Sequence, residues 1–250
     1  MTLSKNNYKL IRSLQTKKGR LKHGLFVVEG KKSIKEFIAS GQFGLRMLFS
    51  SDNDGAENMN RPCEVISKLE LKSISSLSNP DDYLGVFEIG LPKKPKENGL
   101  ILALDQINDP GNLGTIIRLC DWFDIAQIWC EKGTVDQFNP KVVQATMGSM
   151  NRVELVYLDL EERMNQTSLN IYLSDMGGAS IYETDFPKEG ILVMGNEANG
   201  ISDKLRSRDR ELVSIPQYSS NSSKTESLNV AMATGLILGE IRRQQNLLKT

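Results

Sequence analysis

Apolar residues fall along the chain in two regimes. From residue 99 onward, short and nearly unbroken apolar runs recur: LILAL at 100–104, AQIWC at 126–130, VELVY at 153–157, LNIYLSD at 169–175, GILVMG at 190–195 and ELVSI at 211–215. Runs of this length without polar alternation predict strands buried on both faces, and the helical segments between them predict a mostly parallel sheet. Earlier in the chain, GLFVVEG at 24–30, Leu45–Ser50, Cys63–Ile66 and YLGVFEI at 83–89 predict four further strands. Leu3–Leu14 has Leu3, Leu10, Ile11 and Leu14 at loose helical spacing, and Lys31–Ala39 sets Ile34, Phe37 and Ile38 on one helical face before a Ser40-Gly41 stop. Leu228–Arg243 reads as a long helix with a stripe of Val230, Thr234, Ile237 and Ile241. A second stripe of Ala231, Gly235 and Gly239 allows close approach, either of a partner subunit or of a helix in the same chain. LPKKPKENG at 91–99 has two prolines, four charges and a glycine, which cannot form a packed element. The fold class is therefore α/β, with a small domain over 1–92, a linker over 93–98 and a larger domain over 99–250.

Composition narrows the class without naming a function. Hydrophobic residues make up 39% and charged residues 25% of 250, ordinary for a globular protein. No apolar run approaches the ~20 residues that span a bilayer, and the N-terminus MTLSKNNYKL lacks the apolar region of a secretion signal. The three cysteines, Cys63, Cys120 and Cys130, form no C-x-x-C pair, which argues against a disulfide framework and a zinc site and for a cytoplasmic location. His23 is the only histidine, so no multi-histidine metal site is expected; among lysines it reads as a surface residue. The net charge is zero but unevenly spread. Residues 1–35 hold ten basic side chains, including Lys17, Lys18, Arg20 and Lys22, against the single acid Glu29. Such a segment suits a phosphate backbone or a solvated helix face equally.

Candidate chemistry lies in three loops at the carboxyl ends of strands, where parallel α/β sheets bind ligands. They are DQINDPGNLGTIIR after the first strand of the larger domain, MGNEANGIS after the fifth and IPQYSSNSSKTESLN after the sixth. The second has P-loop glycine spacing at Gly195 and Gly200, but Ile201 stands where the phosphate-binding lysine is required. The first lacks G-x-G-x-x-G, so a dinucleotide fingerprint is absent as well. Asn112 is suited to cap the following helix. Arg118 shares a stripe with Gly114 and Asp121, away from the core face, and pairing with Asp121 is its plain alternative.

The three loops together resemble the SpoU (TrmH) family of RNA 2′-O-ribose methyltransferases, within the SPOUT superfamily. The matching motifs are N-x-G-x-x-x-R at Asn112, Gly114 and Arg118; G-x-E-x-x-G at Gly195, Glu197 and Gly200; and I-P followed by S-L-N-V at Ile215-Pro216 and Ser227–Val230. Residues 134–155 resemble the intervening segment, and residues 17–40 resemble the family's accessory substrate-binding domain, a small fold like certain ribosomal proteins.

The resemblance implies a trefoil-knotted catalytic domain, S-adenosylmethionine as cofactor, an RNA substrate and a homodimer formed through the C-terminal domain. Ribosomal RNA is the favoured substrate because of the accessory domain; transfer RNA is the alternative, and a non-catalytic RNA-binding protein of the same fold is a further one. It also implies that Gly195, Gly200, Ile215 and Leu228 bind the cofactor and that Lys17, Lys18, Arg20 and Lys22 bind RNA. Arg118 would act electrostatically, held by Glu197, while Asn112, Ser227 and Asn229 bond ribose, phosphate or the arginine. Glu197 could instead serve only a helix N-terminus, and Ser227 only cap the last helix. Ten residues, Gln217–Glu226, separate the two halves of the third motif, more than the family usually has. A loop of this composition is expected to be mobile without cofactor.

Overall fold

Each of the ten apolar runs forms a strand. The computed structural model describes residues 3–52, 59, 61–207, 209–218 and 227–247. Most of the polar loop 51–60 and of the serine-rich loop 217–226 lies outside the described residues. The chain divides into two units: residues 1–92 with 136–151, and residues 93–135 with 152–250. The boundary near residue 92 falls in the expected linker. The segment 136–151, expected in the larger domain, instead clusters with the first unit.

The first unit is built on a four-stranded sheet in the order β1-β4-β2-β3. Its strands are β1 (Leu25–Glu29), β2 (Leu45–Ser50), β3 (Glu64–Val65) and β4 (Tyr83–Glu88). β4 is antiparallel to both β1 and β2, and β3 adds in parallel. Helix α1 (Lys5–Leu14) buries Ile11 and Leu14 against Val27, Phe49, Leu71, Ile74 and Leu84. Helix α2 (Lys17–His23) starts at Thr16, whose side chain accepts the Gly19 N–H, and ends on left-handed Gly24. Helix α3 (Lys31–Ser40) buries Ile34 and Phe37. Helix α4 (Lys68–Ile74) opens with a reciprocal Ser67–Glu70 capping box. Phe26, Phe37, Phe43, Phe87 and Phe138 form a ring cluster with neighbouring centroids 4.8–6.0 Å apart. Phe138 explains why residues 136–151 join this unit, since its ring belongs to this core.

Arg20 departs from its expected role. It is 3% exposed. Its Nε and Nη2 donate to Asp136 Oδ2 at 2.9 and 2.7 Å, and its Nη1 donates to the Leu14 carbonyl at 2.9 Å. A guanidinium spent on a carboxylate inside the fold is not available to RNA. Lys17, Lys18 and Lys22, by contrast, are exposed.

The second unit has a six-stranded sheet in the order β10-β8-β9-β5-β6-β7, parallel throughout. Its strands are β5 (Leu100–Leu104), β6 (Gln127–Glu131), β7 (Glu154–Leu158), β8 (Ile171–Ser180), β9 (Gly190–Met194) and β10 (Glu211–Ser214). All five residues of β5, β6 and β9 are buried, as an unbroken apolar run requires. Helices α5 (Pro110–Trp122), α7 (Leu160–Met164) and α8 (Val230–Leu247) belong to this unit, and α6 (Pro140–Thr146) to the first.

Candidate functional site

The first loop is shaped by Asp105 and Gln106, just past β5. Gln106 is left-handed at φ 57°, a backbone that a non-glycine residue keeps only when its surroundings hold it. Helix α5 then begins with Asp109 as its N-cap and Pro110 in the first turn. The expectation for Asn112 is corrected here: Asp109 Oδ1 accepts the Asn112 N–H at 2.8 Å, so Asn112 lies inside the first turn. Its side chain is thereby released for other contacts.

The second loop is a turn that closes on itself. Asn196 and Gly200 exchange two backbone hydrogen bonds of 2.9 Å, and Gly200 is left-handed at φ 66°. A Cβ on Gly195 would stand 2.4 Å from the Gly200 carbonyl carbon and 2.5 Å from the Ile201 nitrogen, so only glycine permits the closure. Two bonds tie this turn to the first loop. Asn196 Nδ2 donates to the Gln106 carbonyl at 2.7 Å, and the Ser202 N–H donates to Asp105 Oδ2 at 2.7 Å. Sequence reasoning passed over Asp105, Gln106, Asp109 and Asn196; an Asp directly before Pro110 was the signal available for Asp109.

The third loop delivers Asn229. Its Oδ1 accepts the N–H groups of Ala231 and Met232 at 3.0 and 3.3 Å, so Asn229, not Ser227, caps α8. Its Nδ2 donates to Asn112 Oδ1 at 2.9 Å, and Asn112 Nδ2 donates to Glu197 Oε1 at 2.8 Å. One chain of side-chain bonds therefore joins all three loops through Asn229, Asn112 and Glu197. Ser227 and Leu228 are exposed just before it, and Ile215 is half-buried after β10.

Helices α5 and α8 lie side by side and run in the same direction. Asn112 meets Asn229 at one end, Leu119 lies against Gly235 and Phe123 against Gly239. At the other end Arg242 donates to the carbonyls of Phe123 and Asp124 at 2.7 and 2.8 Å, placing a cation on the last turn of α5. The small-residue stripe of α8 thus serves packing within the chain. Both helix N-termini, with their partial positive charge, open onto the Asn112–Asn229 contact, an arrangement favourable to an anion.

Arg118 is exposed on α5 and has no ion-pair partner among the described residues. The expected Glu197–Arg118 pair does not form, because the carboxylate is bonded to the Asn112 amide. Nor does Arg118 pair with Asp121, which is held by Arg152 at 2.7 Å. Arg118 lies six residues beyond Asn112, about 9 Å along the axis, and helical side chains lean toward the N-terminus. A long guanidinium arm can therefore reach back toward the three-loop contact.

Behind the loops, Asp105 is 1% exposed, and its Oδ1 and the Ser202 Oγ are buried with no partner among the described residues. Two unsatisfied acceptors beside the loops suit a ligand carrying hydroxyl or amino donors. A carboxylate also suits a positively charged ligand. Lys204 stands 3.2 Å from buried Glu131; burial pushes its pKa down, but the hydrogen bond and charge of Glu131 outweigh this and hold it raised. Asp175 is held below the usual carboxylate range by the Gly177 N–H and by Arg206, 2.5 Å away. No group of acidic, cysteine or histidine side chains placed to hold a metal occurs among the described residues.

Comparison with known proteins agrees with this geometry. Residues 99–239 match the SpoU rRNA Methylase family, and residues 5–85 match the MRM3-like substrate binding domain. A 23S rRNA (guanosine(2553)-2′-O)-methyltransferase of Bacillus subtilis is 25% identical over 92% of this chain and 94% of its own. A putative RNA methyltransferase of the TrmH family from Porphyromonas gingivalis superposes with a TM-score of 0.88 at 34% identity, covering 98% of this chain and all of that one. An AdoMet-bound rRNA methyltransferase from Sinorhizobium meliloti superposes with a TM-score of 0.83 at 29% identity, covering 97% of each chain.

Proposed function

The chain belongs to the SpoU rRNA methylase family, and from that premise we propose that it transfers a methyl group from S-adenosylmethionine to a ribose 2′-hydroxyl of ribosomal RNA. The observation that carries this reading is the side-chain relay Asn229–Asn112–Glu197, which draws three loops into one polar contact at two helix N-termini. S-adenosylmethionine supplies a methyl group already activated on a sulfonium. The protein then has to hold the ribose hydroxyl in line and favour loss of its proton.

Asn112 and Asn229 each retain one amide N–H for a ribose or phosphate oxygen, because each spends only one on its neighbour. Glu197 keeps its second oxygen to accept the ribose hydroxyl. Arg118 holds its proton at all working pH values, so its role is electrostatic: it stabilises the developing alkoxide or grips the adjacent phosphate. Ser227 stands beside this group. The backbone at Gly195, Gly200, Ile215 and Leu228 holds the cofactor, and the unpaired oxygens of Asp105 and Ser202 accept from its donors. The knotted threading that this family implies belongs to the same reading, as does a cytoplasmic setting.

We also assign the protein as a homodimer through its second unit, on a surface other than the small-residue stripe. Met232 and Leu236 on α8 are 63% and 45% exposed, and Trp122 at the end of α5 is 83% exposed. Exposed apolar side chains on neighbouring helices need cover.

The test incubates the protein with methyl-labelled S-adenosylmethionine and deproteinised ribosomal or transfer RNA, then digests the RNA to nucleosides. Label is expected in a 2′-O-methylnucleoside from ribosomal RNA. Arg118→Ala should lower kcat by about a hundredfold or more and leave cofactor Kd within about twofold. Label on a base, or none in any RNA, would overturn the reading; label in transfer RNA alone would move the substrate.

A further inference from the structure

The first unit carries a charged surface that the catalytic loops do not use. On α1, Lys5, Tyr8, Lys9 and Arg12 recur at spacings of three and four residues, so they share one face, and all are exposed. On α2, Lys17, Lys18 and Lys22 are exposed around Leu21, which is itself 71% exposed. None of these six cations has an ion-pair partner among the described residues. The second unit handles its cations differently: Lys96 rests on Glu154, Arg152 on Asp121, Arg206 on Asp175 and Arg243 on Glu240. No acid occurs between residues 3 and 28. The next one, Glu29, is buried and bonded to Ser75 and Ser76, and Glu70 is held by Ser67 and the Leu3 N–H.

The two helices are locked to each other. Gly19 lies directly on the end of α1, where a Cβ would stand 1.9 Å from the Ser13 carbonyl oxygen. Beneath them Arg20 is clamped by Asp136 and the Leu14 carbonyl. The surface is therefore formed before any ligand arrives. Tyr8 is 41% exposed among the lysines, and its ring can stack a base.

Resting on the reading of an RNA substrate, we propose that the joined faces of α1 and α2 bind an unpaired segment of that RNA, with the six cations along its phosphates and Tyr8 stacked on one base. The surface is two helix faces with exposed side chains and no element shaped to enter a groove. Stacking needs a base free of its own stack, which a single strand offers and a duplex does not.

The test measures fluorescence anisotropy of labelled ribosomal RNA oligonucleotides, single-stranded and hairpin, with the full chain. Single strands should bind more tightly, with a log–log salt slope of about −3 to −4 if five phosphates are neutralised. The triple variant Lys9→Glu, Arg12→Glu, Lys18→Glu should weaken binding at least tenfold and leave S-adenosylmethionine affinity unchanged. Alanine at the same three positions, which keeps helix propensity, should weaken it in the same sense. Tyr8→Ala should cost about 5- to 100-fold, and Tyr8→Phe less than about twofold. Wild-type RNA affinity in the triple variants overturns the surface but leaves the methyltransferase reading standing. Preference for hairpins, or binding to phosphatidylglycerol vesicles with none to RNA, overturns it as well. Binding through this face with no methyl transfer to any RNA would instead overturn the activity and leave the surface.

Discussion

Asn112 has both ends of its amide committed, to Glu197 on one side and Asn229 on the other, so its orientation is fixed by chemistry at two loops. Asn112→Asp replaces the donor facing Glu197 with a carboxylate oxygen and sets two negative charges together. Its kcat should fall by about a hundredfold, as for loss of one placed polar group, with the fold retained by circular dichroism; near-wild-type turnover would remove the relay from the mechanism. Arg20 is the opposite case, a charged residue whose work is structural. Removing one partner of a buried pair strands the other. Because Asp136 is 18% exposed, the cost of Arg20→Ala should lie at the lower end, about 3 kcal/mol, read from urea unfolding. An additional Asp136→Ala should recover part of it. Equal stability of the single variant and the wild type would show that the bidentate contact is not formed. A carboxylate 116 residues away cannot be read from the lysine-rich segment around Arg20.

The second loop illustrates what backbone geometry demands of an element. Gly195→Ala would drive a methyl into the Gly200–Ile201 peptide, so the Asn196–Gly200 closure must open and the tie to Gln106 loosen. Cofactor affinity should drop at least tenfold, while Gly235→Ala, which meets Leu119 only at 3.4 Å, should bind the cofactor normally; titration calorimetry separates the two. Elements of this kind differ in how well pattern reveals them. The strands of the parallel sheet were legible because burial on both faces leaves no polar positions in them. The short helices α2 and α6, of seven residues each, were not, because two turns are too few to display a period. The motif glycines and the Asn–Glu–Asn group were legible as loop positions. Their mutual bonding was not, because it depends on how β5, β9 and α8 are ordered in space. The stripe on α8 was seen correctly as a close-packing face, but spacing alone could not choose between a partner subunit and α5.

Across the molecule, charges of opposite sign are equal in number but not in how they are used. The first unit leaves the cations of α1 and α2 unpaired, while the second ties carboxylates to cations. Several of these carboxylates sit below their ordinary pKa: Glu154 through its bond from Lys96, Asp175 through the Gly177 N–H and Arg206, and Glu240 through Arg243. A lowered native pKa means that the unfolded chain binds more protons as pH falls past about 4. The stabilisation from these groups is therefore complete above the unfolded value and is lost as pH drops through the native ones. The urea midpoint should stay level between about pH 7 and 5.5 and decline below about pH 4.5. Glu240→Gln removes the charge that Arg243 and Gln244 hold, so it should lower the midpoint at neutral pH and make the acid decline shallower. A midpoint that stayed level down to pH 3 in the wild type, or an acid decline as steep in Glu240→Gln, would mean that these ion pairs do not carry the acid sensitivity of the fold.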